Sequence, residues 1–362
     1  MLAIDKAILS YAAVAAVAAV AIWMFPVAIA YGYQNPVTAP AVKVINSEAE
    51  TWELLETVGS PTARHEATFV AFKNKIYLLG GRRINPVDVF DPQTSTWTAK
   101  SKSPIELHHF QAVVYDELIY LIGAMTGPYP NEKPVQRVVS YDPAEDKFKF
   151  SHPIPVDRRR GGAGAVVRNG KIYIVGGIVN GHLGGYQPWL DEYDPRTGKW
   201  RILADAPDAR DHFQAATDGN RLYAVGGRMT SKKTDDVFNL TVGSVNVFDF
   251  DTETWLADQP PNLPTERAGN MAFIHNGYLI VGGGETTQDV AHNDVEMLDL
   301  KSWQWSKLPR LAVGRHGSGF AVVGNYVYTA SGCGMQGGSD ELTSIERMQL
   351  PVATDADRRQ EE

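Results

Sequence analysis

KIYLLGG, residues 75–81, and KIYIVGG, residues 171–177, are one short apolar strand written twice, each time ended by two glycines. The pair returns at Gly226-Gly227 and Gly283-Gly284, as Gly123-Ala124, and in degenerate form as Ser331-Gly332. The spacing runs from 43 residues (Gly80 to Gly123) to 57 (Gly226 to Gly283), the mark of a fixed unit with loops of unequal size. In residues 63–97 the parts stand in the order Arg64-His65, ATFVAF, KNK, IYLLGG, a loop, VDVFD, PQTST and Trp97. A residue of the third run and a later aromatic are seven apart five times over: Phe90–Trp97, Tyr141–Phe148, Tyr193–Trp200, Phe248–Trp255 and Leu298–Trp305.

Each part has a physical reason. VAFKNKIYLL reads as two strands joined by a tight polar turn, with β-branched and aromatic residues that suit a pleat. The glycines let the second strand end against a neighbour's backbone, where a Cβ would clash. FDPQTSTW is strand, turn, strand, and its aromatics offer apolar area to the next unit. The unit resembles the kelch repeat, over residues 51–350. That resemblance implies an all-β fold, a six-bladed propeller of four-stranded blades. The sixth unit lacks a fourth strand with its Trp, while Thr51-Trp52 matches Thr96-Trp97 and Thr254-Trp255. The segment around Trp52 is therefore expected to pair with the last blade and close the ring, which removes exposed strand edges.

Ahead of the repeats, residues 7–25 carry no charge, and about 19 helical residues rise nearly 30 Å, enough to cross a bilayer. Ala28-Ile29-Ala30 offers a signal-peptidase site before Tyr31. Residues 1–31 are read as one apolar helix, a membrane anchor or a signal peptide. Residues 32–50 are read as a linker, 51–350 as the propeller and 351–362 as a disordered charged tail. Lys6 precedes the apolar run and no Lys or Arg follows before Lys43, which favours an inside N-terminus. The propeller is thus expected outside the cytoplasm, periplasmic or extracellular, tethered to the membrane or, after cleavage, free.

The net charge of −8 and the lack of a long basic run argue against a nucleic-acid partner, since phosphate neutralisation needs clustered Lys and Arg. The local exception is Arg158-Arg159-Arg160, of which Arg158 and Arg159 are expected to be solvated. The single cysteine, Cys333, allows no intrachain disulfide and belongs to no zinc-type spacing. Galactose oxidase joins a kelch-type propeller to a copper site with a Cys–Tyr crosslink, and nothing around Cys333 supports that chemistry. No cofactor and no metal are expected.

The glycine pairs also serve as a ruler. Sixteen residues before each stand Arg64, Leu107, Arg160, Arg210, Arg267 and Arg315. Next come His65, His108, Gly161, Asp211, Ala268 and His316, and then Glu66, His109 and His212 among others. In a closed ring these surround one mouth of the channel, where guanidinium groups suit an anion; each arginine is also read as a structural link to blade carbonyls. His65, His108 and His316, equivalent in adjacent blades, are weighed as metal ligands and set aside. The loops after the glycine pairs, 9 to 21 residues to the next strand's marker, share that face and hold Tyr129, Tyr186, Trp189 and Phe238. Function on a propeller belongs to such loops. Three readings follow: a module that binds another protein, a sialic-acid-type mutarotase or epimerase taking an anionic small molecule or sugar at the Arg-lined mouth, and an accessory subunit of a membrane complex.

Overall fold

The structure is a computed structural model that describes residues 43–44 and 51–350, all within the unit Val42–Glu362. The apolar stretch 7–25, the tail 351–362 and all of the linker but Lys43-Val44 lie outside the described residues. Among the described residues no helix is long and apolar enough to cross a membrane.

Six antiparallel sheets follow one another as blades. Blade one consists of Ala67–Phe72, Lys75–Gly80, Pro86–Asp91 and Thr96–Lys102. Blade two is Ala112–Tyr115, Leu118–Leu121, Arg137–Asp142 and Lys147–Pro153; blade three is Gly164–Arg168, Lys171–Val175, Leu190–Tyr193 and Trp200–Ile202. Blade four is Gln214–Thr217, Arg221–Val225, Val245–Asp249 and Thr254–Trp255; blade five is Met271–His275, Tyr278–Gly282, Val295–Asp299 and Trp305–Leu308. Blade six takes Ala321–Val323, Tyr326–Ala330 and Ile345–Gln349 from the end of the described chain. On the last of these lies Glu53–Leu54, with Glu53 opposite Arg347 and Leu54 opposite Glu346. Trp52 stacks on Phe320 with ring centroids 5.6 Å apart. The only helical pieces described are three short 3-10 turns.

The seven-residue spacing is a hairpin. In each of five blades its two members are directly opposed across the third and fourth strands. The Asp that follows the third-strand marker shapes the turn between them: Asp91, Asp142, Asp194, Asp249 and Asp299 each accept a backbone N–H two residues on.

The core lies between blades rather than within them. Six apolar clusters fill the six interfaces of neighbouring blades. Tyr77 and Leu79 of blade one meet Ile119, Leu121 and Tyr141 of blade two. Phe69, Ile76 and Phe90 meet Ala321, Tyr328 and Ile345 of blade six, so the ring is continuous. Burying a side chain such as Phe90 contributes about 1.5–3 kcal/mol. The glycine pairs make this contact close: a Cβ on Gly283 would lie 2.4 Å from the Arg315 carbonyl of the next blade, and φ there is +63°.

Candidate functional site

The second residue after each ruler position forms a belt around the channel. Glu66, His109, Gly162, His212, Gly269 and Gly317 occupy it, and all six line a narrow void of about 30 Å³. Their backbones are linked from blade to blade. His109 donates to Glu66 O (3.0 Å), Gly162 to His109 O (2.7 Å), His212 to Gly162 O (2.9 Å), Gly269 to His212 O (2.6 Å) and Gly317 to Gly269 O (3.2 Å). Ala67 donates to Gly317 O at 3.1 Å and completes the circuit. The geometry demands a left-handed residue: φ is +64°, +62° and +64° at the three glycines and +55°, +54° and +54° at Glu66, His109 and His212. Residues with a Cβ pay in strain at such positions, and strain of this kind collects at functional sites.

Above the belt opens a mouth cavity of about 530 Å³, lined by Glu66, His109, His182, Arg228, Glu285 and Tyr129 among others. His109, His182 and His212 cluster there, with ring centroids 4.7 to 5.1 Å apart and all three side chains buried. His182 arrives from the 3-10 turn Gly181–Leu183 in the long loop of blade three. Each ring is oriented through its Nδ1. His182 Nδ1 donates to Glu132 Oε1 at 3.0 Å, and Arg82 donates to the same oxygen at 2.6 Å. His212 Nδ1 donates to Asp211, whose carboxylate also accepts from the Thr230 hydroxyl (2.5 Å) and backbone (3.0 Å). His108 Nε2 donates to Gly127 O (3.2 Å), which leaves its Nδ1 as acceptor for His109 Nδ1–H at 2.5 Å. With Nδ1 donating in each ring, the neutral imidazole leaves a lone pair on Nε2. Burial pulls His109 far down from the usual imidazole range, and His182 down as well.

A second group stands alongside. Arg228 pairs with Glu285 at 2.5 Å, His316 Nε2 lies 3.4 Å from the same carboxylate, and Glu66 lies 3.5 Å from His109 Nε2 and 4.0 Å from His316 Nδ1. Burial would raise Glu285, but the His316 and Arg228 charges outweigh it and hold the carboxyl at about 2. The mouth is lined by three guanidinium groups, Arg82, Arg83 and Arg228, and three carboxylates, Glu66, Glu106 and Glu285. Each of the three guanidinium groups is already ion-paired, to Glu132, Glu341 and Glu285.

The ruler arginines do something else. None lines the void or the mouth. Arg64, Arg160, Arg210 and Arg315 each donate to the carbonyl sixteen residues on, at 3.1, 2.5, 3.0 and 2.9 Å, and Arg267 donates to Val281 O. Each also meets a polar side chain two positions before the third-strand marker: Asp88, Asp191 (2.7 Å), Asn246 (2.6 Å), Glu296 (2.7 Å) and Glu346 (2.6 Å). Blade two, with Leu107 in place of the arginine, has Val139 in place of the acid. The arginine and its polar partner are present or absent together, as expected of a structural strut.

Of the remaining sequence candidates, His65 pairs with Glu341 at 2.7 Å, so His65, His108 and His316 do not converge as one set. Arg158 is not solvated: it is buried, bonded to Asp191 at 2.9 Å and stacked on Trp189 at 4.2 Å, because the guanidinium plane fits between a carboxylate and an indole. Trp189 is thereby packed into blade three, and Tyr186 bridges to Ile178 in the same loop. Arg228 and Glu285 were legible one step past the glycine pair, where Arg82, Met125, Ile178, Arg228, Glu285 and Cys333 correspond. His182 and Glu132 sit inside loops of unequal length and left no such signal.

Residues 31–295 match the Attractin/LZTR1 β-propeller family model. The chain is 27% identical over 317 residues to Kelch-like protein terF of Aspergillus terreus, covering 82% of this chain and 66% of that protein. Kelch-like protein 40 of Xenopus laevis is 28% identical over 47% of this chain and 28% of its own length. The chain thus spans under two thirds of these relatives. Among solved structures, that of YjhT superposes with a TM-score of 0.67 at 17% identity, covering 79% of this chain and 95% of that one, a likeness of fold.

Proposed function

The chain belongs to the Attractin/LZTR1 family of β-propellers, a kelch-repeat propeller, and from that premise we propose that it is a binding module whose long-loop face docks a protein partner. The observation that carries this is the set of apolar side chains standing out around the polar mouth. Ile84, Tyr129 and Val290 are 53%, 49% and 56% exposed, in the loops after the glycine pairs of blades one, two and five. Leu54, Phe150 and Ile202 are exposed too, but on outermost strands. Exposed apolar anchors around a recess suit partner recognition. The triple variant Ile84→Ser, Tyr129→Ser, Val290→Ser is expected to lose the cross-linked partner recovered with the wild-type chain. Lys73→Glu with Glu117→Lys, on the opposite turns, is expected to retain it. The reverse pattern would overturn the proposal.

A mouth of about 530 Å³ is also of small-molecule size. That volume supports the second reading, a sialic-acid-type mutarotase or epimerase, although an anionic sugar would meet guanidinium groups that are already paired. We infer further, from residues 7–25, that the propeller is exported and tethered, periplasmic or extracellular. An anchored chain would also fit an accessory subunit of a membrane complex. N-terminal sequencing separates a retained anchor from cleavage before Tyr31. We also infer that the strand at Trp52 is the latch that closes the ring.

A further inference from the structure

Three histidines of one cluster each hold a proton on Nδ1 and present a bare Nε2. That is an unusual thing to bury without a Lewis acid. The three belong to different blades or loops, and one ring nitrogen from each lies within 4.8 Å of the others. His212 Nε2 is buried and has no hydrogen-bond partner, on a side chain 1% exposed. The nitrogen is neither solvated nor satisfied, which is costly unless something else accepts its lone pair. A Glu66 carboxylate oxygen lies 3.5 Å from His109 Nε2.

We propose that His109, His182 and His212, with Glu66 as an anionic fourth ligand, bind one divalent first-row transition metal ion at the inner end of the mouth. Three imidazoles and a carboxylate are the donor set of zinc, iron or copper rather than of magnesium or calcium, which take oxygen. Each imidazole already has an outer partner on Nδ1: His108, Glu132 and Asp211. Metal-bound histidines are oriented in this way, with the second nitrogen donating to a carboxylate or another acceptor. Tetrahedral bonds of about 2.0–2.1 Å need nitrogens roughly 3.4 Å apart, so a contraction of no more than about 1.5 Å in any pair brings the three histidines to that spacing.

Two further features agree. Glu66, His109 and His212 are the three non-glycine members of a belt whose other three members are glycine. Their φ values show that the backbone asks for glycine at all six. The side chains that break the pattern are three of the four proposed ligands. Cys333 is not among them; burial pushes its thiol far up, and the thiol stays protonated.

The test uses the untagged full chain, stripped with a chelator and dialysed. Zn²⁺ is added, then bound metal is measured per chain; Co²⁺ is added separately and its visible ligand-field absorption recorded. One equivalent of metal is expected, with a Co²⁺ spectrum of low-symmetry nitrogen and oxygen ligation, and no competition from Mg²⁺. His212→Gly keeps the belt's backbone preference and removes a ligand; His182→Gln removes one outside the belt. Each is expected to weaken binding more than 100-fold, since losing even a ligand's outer partner costs about 10–100-fold. Asp211→Asn, which alters only such a partner, is expected to fall in that lesser range. Absence of stoichiometric metal in the wild-type chain overturns the proposal, as does metal retained undiminished in both His212→Gly and His182→Gln.

Discussion

Arg267→Leu alone is expected to be among the most damaging single changes in this protein, and adding Glu296→Val is expected to reverse most of the damage. Arg267 and Glu296 are 2.7 Å apart with no exposed side-chain surface on either. Removing one partner leaves a charge without water and without a counter-ion, at a cost of about 3–5 kcal/mol. Replacing both by well-packed apolar groups is often neutral. Blade two already carries that replacement, with Leu107 and Val139 both buried in the interface with blade one. A double-mutant cycle by chemical denaturation measures the coupling. The expected interaction energy is several kcal/mol, on the order of the single-mutant loss. If the double variant is as unstable as the sum of the singles, the arginine has a role beyond the strut.

Trp52→Ala is expected to have an effect of similar size by a different route. Trp52 is 5% exposed, stacked on Phe320 and packed with Leu308, Val327, Met348 and Leu350 where blades five and six meet. Truncating a buried Trp costs about 3–5 kcal/mol. The change also loosens Glu53–Leu54, whose pairing covers the edge of Ile345–Gln349. A freed edge offers unpaired backbone to other chains. Thermal unfolding should therefore fall by roughly 10 °C, at about 2–4 °C per kcal/mol for a large domain. Light scattering should rise with protein concentration. A variant that melts like wild type and stays monomeric would remove the latch from the account.

Much of the architecture was readable in the residues because a repeat repeats its physics. The glycine pairs, the seven-residue hairpin pairs and the arginine at sixteen each fill one geometric slot, and six copies average out the noise of any single one. The same symmetry misdirected the reading of the site. Arginines found in five of the six blades looked like a ring around the mouth, yet a residue the fold places in blade after blade is one the blade uses. The polar residue two positions before the third-strand marker, missing together with Arg in blade two, was the available clue. The candidate site lies where the symmetry fails. Glu66, His109 and His212 depart from the belt's glycines, and that departure was visible at the same ruler position. His182 and Glu132 could not be read, because their loops follow no register and only the folded chain brings them 3.0 Å apart.

On the metal proposal, the non-glycine belt residues are held at a cost to stability for what they do at the channel. Unfolding of His109→Gly/His212→Gly against wild type, both in chelator, tests it most directly. A left-handed non-glycine residue costs about 1–3 kcal/mol, which offsets the loss of the Asp211–His212 and His108–His109 hydrogen bonds, so the double variant should melt close to wild type, while only wild type gains stability when Zn²⁺ is added. A double variant that melts well below wild type in chelator would mean that these side chains serve the fold, and would contradict the claim.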